Sequence, residues 1–281
     1  MKISDIALNE IILNALREDI GSGDITTNLT VEDTMARGRF IAKEDGIICG
    51  LEACGRVFKI LDESVNFVAH KKDGEAVANG EAFAEISGKA ASLLTGERTA
   101  INLLQRMSGI ATKTAAAVAQ VAGTKAKIAD TRKTTPGMRV LEKYAVLSGG
   151  GTNHRFNLSD GILIKDNHIA AAGGIYPAVS RAKANAPHTL KIEVECGSIA
   201  EVEEALAAGA DIIMLDNMPV AEMKKAAEFI GGRALVEASG NMGEKDLLEV
   251  ARTGVDIISV GALTHSVKSM DISLKFLMQN S

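Results

Sequence analysis

Dividing 281 residues by a typical domain of roughly 150 predicts one large domain with a smaller companion. With 46% hydrophobic and 24% charged residues and only 4 Pro, the composition is that of a folded globule and excludes disordered, collagenous and low-complexity classes. Aromatics at 3% without Trp, and 31 basic against 36 acidic residues for a net charge of −5, leave no general footprint for nucleic acid.

The N-terminal stretch MKISDIALNEIILNAL carries Asp5 and Glu10 within its apolar pattern, which predicts an amphipathic helix and not a signal peptide. Residues 37–90 alternate in short runs broken by Asp73-Gly74 and Asn79-Gly80, predicting a small mixed β layer. From about Thr95 to Val121 a helical pattern follows, with Ile101, Leu104, Ser108 and Ala111 on one stripe. Thr95 is a candidate N-cap for it, which would set Arg98 in the first turn, where the helix dipole disfavours cations. Arg98 then has two readings, a residue wanted there by a ligand or a solvated partner of Glu97.

From Ala126 the rhythm changes to short apolar runs, each followed by a helix, the alternation of a parallel sheet. The strand candidates are KIAD, GILIKD, LKIEVE, ADIIMLD, ALVEAS and VDIISVG. The stretches EEALAAGADIIMLDN and LEVARTGVDIISVGA echo one another, which favours a barrel over an open sheet. Three cysteines, Cys49, Cys54 and Cys196, make an odd number without a C-x-x-C pair and predict buried, reduced thiols. No apolar run reaches the roughly 18 residues of a membrane span, and a cytoplasmic location is expected.

In a βα barrel the site lies at the carboxyl ends of the strands. The residues there are Asp130 with Arg132 and Lys133, Lys165 with Asp166, Glu195, Asp216 with Asn217, Ser239 with Asn241, and Gly261 with His265. One polar strand end is unremarkable, but six in register argue for a site. The early strands and the loop GGGTNHRF supply cations (Arg132, Lys133, His154, Arg155, Lys165), and the later strands supply Glu195 and Asp216. Converging cations in an acidic protein suit a polyanion, unless Asp130, Glu142 and Asp160 neutralise them. Glycines in EASGNMG and SVGAL, at consecutive strand ends, let backbone N–H groups approach a phosphate.

The segments GERTAINLLQRMSGIAT, DTRKTTPGMR, EKYAVLSGGGTNHRFNLSDGILIKDNHI, IEVEC, IIMLDN, VEASGN and SVGALTHS, with EDIGSGDITT near the start, resemble the quinolinate phosphoribosyltransferase family over nearly the whole chain. The resemblance implies an N-terminal α/β sandwich domain over residues 1–110 and an incomplete parallel α/β barrel over 111–265, with the tail 266–281 returning to the first domain. It implies transfer of the phosphoribosyl group of phosphoribosyl pyrophosphate to quinolinate with Mg²⁺, releasing pyrophosphate and CO2 and leaving nicotinate mononucleotide for NAD synthesis.

By the same resemblance, Arg132, His154, Arg155 and Lys165 meet the quinolinate carboxylates with Lys133 alongside. Arg98 enters the neighbouring subunit's pocket across a homodimer, with assembly to a hexamer left open. Glu195 and Asp216 serve the ribose hydroxyls and Mg²⁺. Ser239, Gly240, Asn241 and Gly261 hold the 5′-phosphate, His265 lies just beyond, and Thr131, Val260 and Ala262 line the pocket. Lys133 or a water is the candidate proton donor after decarboxylation, with Glu195 and Asp216 stabilising the ribosyl cation. The competing readings are a nicotinate-specific or molybdenum-associated relative, a Schiff-base aldolase using Lys165, and a non-catalytic phosphate-binding module.

Overall fold

The computed structural model describes residues 2–277, which form two compact units. The first comprises the chain up to Ala115, Thr135–Gly150 and the segment from Val267, and the second comprises Ala116–Thr134 and Gly151–Ser266. In chain order, the first unit holds α1 (Asp5–Ile20), α2 (Ile25–Thr30), β1 (Met35–Ala42), β2 (Gly46–Ile47), α3 (Leu51–Leu61), β3 (Asn66–Ala69), β4 (Ala76–Val77) and β5 (Ala82–Lys89). The helix α4 (Ala90–Gln120) then passes from the first unit into the second. Next come β6 (Lys127–Ala129), α5 (Arg139–Ser148), β7 (Ile162–Ile164), α6 (Asp166–Ala172), α7 (Ile175–Asn185), β8 (Ile192–Cys196), α8 (Ile199–Ala208) and β9 (Ile212–Asp216). The chain continues through α9 (Val220–Ile230), β10 (Leu235–Ser239), α10 (Leu247–Ala251), β11 (Ile257–Ser259), α11 (Ala262–His265) and β12 (Ile272–Phe276).

The first unit is an antiparallel sheet in the order β12-β1-β5-β3. β1 alternates exposed and buried residues, and its buried Phe40 meets Phe58 of α3 and Phe67 of β3 edge-on, at centroid distances of 6.3 and 5.7 Å. α3 is a helix inside the stretch read as β layer. It comes close to β3 because a Cβ at Gly55 would stand 2.9 Å from the Phe67 ring, and its first N–H groups are satisfied by Asp73, whose Oδ1 accepts from Gly50 and Leu51. The Asp73-Gly74 turn signal therefore has a second use as a helix cap. The C-terminal β12 pairs antiparallel with β1, Gly38 opposite Phe276. Of the tail expected to return to this domain, residues 278–281 lie outside the described residues.

α4 begins at Ala90, five residues before Thr95. Thr95 is not its N-cap but an interior residue whose hydroxyl donates to Asp24, and Arg98 is exposed in the third turn, so the first-turn argument for Arg98 falls away. The predicted stripe holds: Ile101, Leu104, Ser108 and Ala111 are all buried. Ser108 is matched in the core by Cys49, whose N–H it accepts at 3.0 Å and to whose carbonyl it donates at 3.1 Å.

The second unit is built on six parallel strands in the order β6-β11-β10-β9-β8-β7, each one of the six predicted runs. The outer strands β6 and β7 do not pair, so the six strands form a parallel sheet and no closed barrel. The sequence echo has a structural cause. Asp211 and Asp256, at the two strand starts, each accept a backbone N–H from the neighbouring strand, Ile192 to Asp211 at 2.8 Å and Val236 to Asp256 at 2.9 Å. Among the described residues no helix is long and apolar enough to cross a membrane. All three cysteines are buried and unbridged, and burial is the largest cause raising their thiol pKa values.

Candidate active site at the strand ends

The sheet register sets the predicted residues level with one another. Asp216 closes β9 opposite Ser239 at the end of β10, and Glu195 precedes Cys196, which faces Leu215. The chain then leaves these strands through left-handed backbone, with Asn217 at φ 54°, Gly240 at φ 88° and Asn241 at φ 53°. At Gly240 a side chain would collide with Asn217, so the two loops touch through glycine. The β10 and β11 loops meet in the same way, since a Cβ at Gly243 would stand 2.7 Å from Ala262. The stem of Lys133 crosses Gly261, whose Cβ would lie 3.0 Å from Lys133 Cδ and 3.2 Å from the His265 ring. Thr264 fixes this crossing by donating to the Lys133 carbonyl at 2.8 Å, Thr131 Oγ1 accepts the Lys133 N–H at 3.0 Å, and Val260 donates its N–H to Ala129 at 2.9 Å.

The carboxylates proposed as neutralisers are committed elsewhere. Asp130 is fully buried and accepts from the His154 N–H at 2.8 Å and from Asn153 Nδ2 at 2.7 Å, which holds the GGGTNHRF loop to the end of β6. Glu142, in the first unit, accepts from Arg106 at 2.8 Å, and Asp160 accepts from the Phe156 N–H at 2.8 Å. Arg155 donates to the Gly161 carbonyl at 2.8 Å. Burial first, and next the Arg132 charge, lower its guanidinium pKa, while the Glu193 charge opposes them. Lys165 donates to Glu195 at 2.9 Å across the adjoining strands β7 and β8, so the cationic and anionic sides of the pocket share one ion pair. An ammonium held by a carboxylate is a poor amine nucleophile, which argues against the Schiff-base reading.

His154 stands above a pair of acids that the sequence reading missed. Its Nε2 is 3.2 Å from Glu193 Oε2 and 3.5 Å from Glu237 Oε1, and these acids are 5% and 2% exposed. Its Nδ1 accepts the Arg155 N–H at 2.8 Å, so both ring nitrogens are engaged within the unit. A signal for the acids was present: Glu193 and Glu195, and Glu237 and Ser239, are two apart on their strands and therefore share a face. One atom from each of His154, Glu193 and Glu237 lies within 4.8 Å of the others, a spacing a metal ion could use. The tautomer argues against it, because a neutral imidazole bound to metal through Nε2 must carry its proton on Nδ1, against the Arg155 N–H.

Burial first, and then the Glu193 charge, push the Glu237 pKa up to about 7. Because this lies above the ordinary 4.5, the neutral acid stabilises the unit fully below the ordinary value, and that stability is lost as the pH rises through about 7. Glu237→Gln fixes a neutral side chain. Its Tm relative to the parent protein should therefore climb between about pH 5 and about pH 8 in a denaturation series, whereas a pH-independent difference would mean that Glu237 does not titrate in this window.

Cations, carboxylates and glycine-lined loops gather at the ends of the parallel strands of an α/β protein, an arrangement that suits anionic ligands. Family models for the C-terminal and N-terminal domains of quinolinate phosphoribosyl transferase match residues 110–275 and 24–108. The chain belongs to the quinolinate phosphoribosyltransferase family. It is 46% identical over 278 residues, covering 99% of this chain and 96% of the relative, to a probable carboxylating nicotinate-nucleotide pyrophosphorylase of Bacillus subtilis (strain 168). A chloroplastic relative carrying the same activity name, from Arabidopsis thaliana, is 43% identical over 95% of this chain and 82% of its own length. The solved nicotinate-nucleotide pyrophosphorylase of Francisella tularensis superposes with a TM-score of 0.95 at 39% identity, covering 98% of each chain.

Proposed function

We propose that this protein transfers the phosphoribosyl group of phosphoribosyl pyrophosphate to quinolinate with decarboxylation, yielding nicotinate mononucleotide, pyrophosphate and CO2 for NAD synthesis in the cytoplasm. The observation that carries the reading is the placing of Arg132 just past the end of β6 and of Arg155 in the loop that Asp130 holds to that same end, two cations that suit an acceptor with two carboxylates. Lys165 supplies a further charge, with Lys133 alongside. Nicotinate has one carboxylate and uses this set less fully.

Ser239, Gly240, Asn241, Val260, Gly261 and Ala262 offer the 5′-phosphate a glycine-lined pair of loops, with Thr131 and His265 at its margin. Glu195 and Asp216 orient the ribose and stabilise positive charge developing at its reacting carbon, so that the pyridine nitrogen meets a polarised centre. The same two residues fit Mg²⁺. They present hard oxygens on adjoining strands, and among the described residues Lys165 takes one oxygen of Glu195 and Asn217 one of Asp216, which leaves the second oxygen of each to a cation. When bound, Mg²⁺ neutralises the charge of the departing pyrophosphate. When CO2 leaves, the electron pair of the broken bond stays on the ring carbon, and the ammonium of the exposed Lys133 or a water donates the proton that bonds there. Arg98, exposed on α4, is the residue a homodimer would lend to the partner's pocket.

Incubation with quinolinate, phosphoribosyl pyrophosphate and Mg²⁺, with nicotinate as competitor, tests the assignment. Equal amounts of CO2 and nicotinate mononucleotide are expected. Product from nicotinate alone would overturn the choice of acceptor.

A further inference from the structure

The acids beneath the pocket have no part in the chemistry above, yet they are costly. Two carboxyls are removed from water on β8 and β10, on either side of β9, and neither meets a Lys or Arg in an ion pair among the described residues. Glu237 Oε1 makes no hydrogen bond of good geometry, although it lies 3.5 Å from His154 Nε2. The only N–H that the imidazole can direct at the two acids is on Nε2, because the Arg155 amide occupies Nδ1.

The linkage runs outward from there. The imidazole clamps the Arg155 amide, Asp130 holds the His154 amide and the Asn153 side chain, and Arg155 Nη1 reaches the Gly161 carbonyl. Each of these bonds fixes one degree of freedom of the loop that carries the Arg155 guanidinium. The ring is met by Glu193 from β8, Glu237 from β10 and the Arg155 amide, while Asp130 at the end of β6 holds the His154 amide.

We propose that Glu193 and Glu237 are positioning residues. Glu193 accepts the Nε2–H of His154 and Glu237 closes the space beside it, so that the ring is held in the orientation whose Nδ1 receives the Arg155 amide and the guanidinium is set for the acceptor's carboxylate. His154 on this view acts through the loop and not as a charge on the substrate. The inference rests on the assignment of Arg155 to an acidic pyridine acceptor.

The test compares the full-length protein with Glu193→Gln and Glu237→Gln, both of which keep the side-chain shape. Imidazole nitrogen NMR near neutral pH should show the His154 ring of the parent protein as a neutral Nε2–H tautomer without substrate, and Glu193→Gln should lose that single signature. In steady-state assays Glu193→Gln should raise the KM for quinolinate by about tenfold or more, Glu237→Gln by a smaller factor, and the KM for phosphoribosyl pyrophosphate should move by less than about twofold in both. A parent ring protonated on Nδ1, or Gln variants matching the parent in both tautomer and quinolinate KM, would overturn the proposal. Equal rises in both KM values would also overturn it, since they mark general loosening. A parent protein inert toward quinolinate but showing the Nε2–H signature would condemn the choice of substrate and leave the clamp standing.

Discussion

Arg155→Ala is expected to lower kcat/KM for quinolinate by about a thousandfold, the equivalent of roughly 4 kcal/mol for a desolvated, charge-assisted contact. Arg155 already spends one donor nitrogen on the Gly161 carbonyl, and that bond aims the rest of the fork. Arg155→Lys should recover only a small part of the loss, because an ammonium is a point charge that can neither bond Gly161 nor grip a carboxylate in the same geometry. The free protein should tolerate the change, since the Arg155 backbone amide, which the His154 ring holds, is kept. The expected pattern is therefore an undiminished Tm without substrate and a lost thermal shift with quinolinate. Activity within about threefold of the parent would remove Arg155 from the acceptor pocket.

The second large effect is on stability and lies in the first unit. Gly109 sits on α4 where a Cβ would run into the carbonyl oxygen of Lys268 and stand 3.1 Å from Ser269 Cα. The obstacle is backbone and cannot swing aside. The same strand-leading segment is fastened to the helix one turn earlier, with Met270 donating to the Gln105 carbonyl at 3.0 Å and Gln105 Nε2 to the Ile272 carbonyl at 2.9 Å. Gly109→Ala must therefore lift the tail from the helix and disturb β12 on β1, costing about 3 kcal/mol. Thermal denaturation should show a fall of about 6–12 °C in Tm. An unchanged midpoint would mean that the tail can shift without loss.

The six strands of the second unit were legible because a parallel strand buried on both faces reads as a short apolar run, and each is followed at once by its helix. The polar register at their ends was legible for the same reason, since every run stops where the strand does. The first unit was harder. α3 interrupts a stretch dense in turn signals, and its acceptance depends on Gly55 meeting Phe67, a contact with a later strand. The start of α4 was misplaced at Thr95 because a hydroxyl beside an apolar pattern looks like a cap, whereas this one is spent on Asp24, 71 residues away.

Within the site, Arg132, Arg155, Lys165, Glu195, Asp216 and Ser239 could be named from position alone. Glu193 and Glu237 share a strand face with Glu195 and Ser239, but a glutamate inside an apolar run looks like a lapse in the pattern until the loop that brings His154 to it is known. Residues 135–150 make the same point on a larger scale: they follow β6 in the chain but join the first unit, where Tyr144 donates to Asp73 at 2.9 Å and Glu142 meets Arg106.

The sequence by itself determined the parallel sheet, its strand ends and the charges carried there, all consequences of local periodicity and of where each apolar run stops. Only the tertiary structure decided which of those charges answer one another, that Lys165 meets Glu195 and that His154 rests on two buried acids, because side chains far apart in the chain meet only after the strands have taken their register.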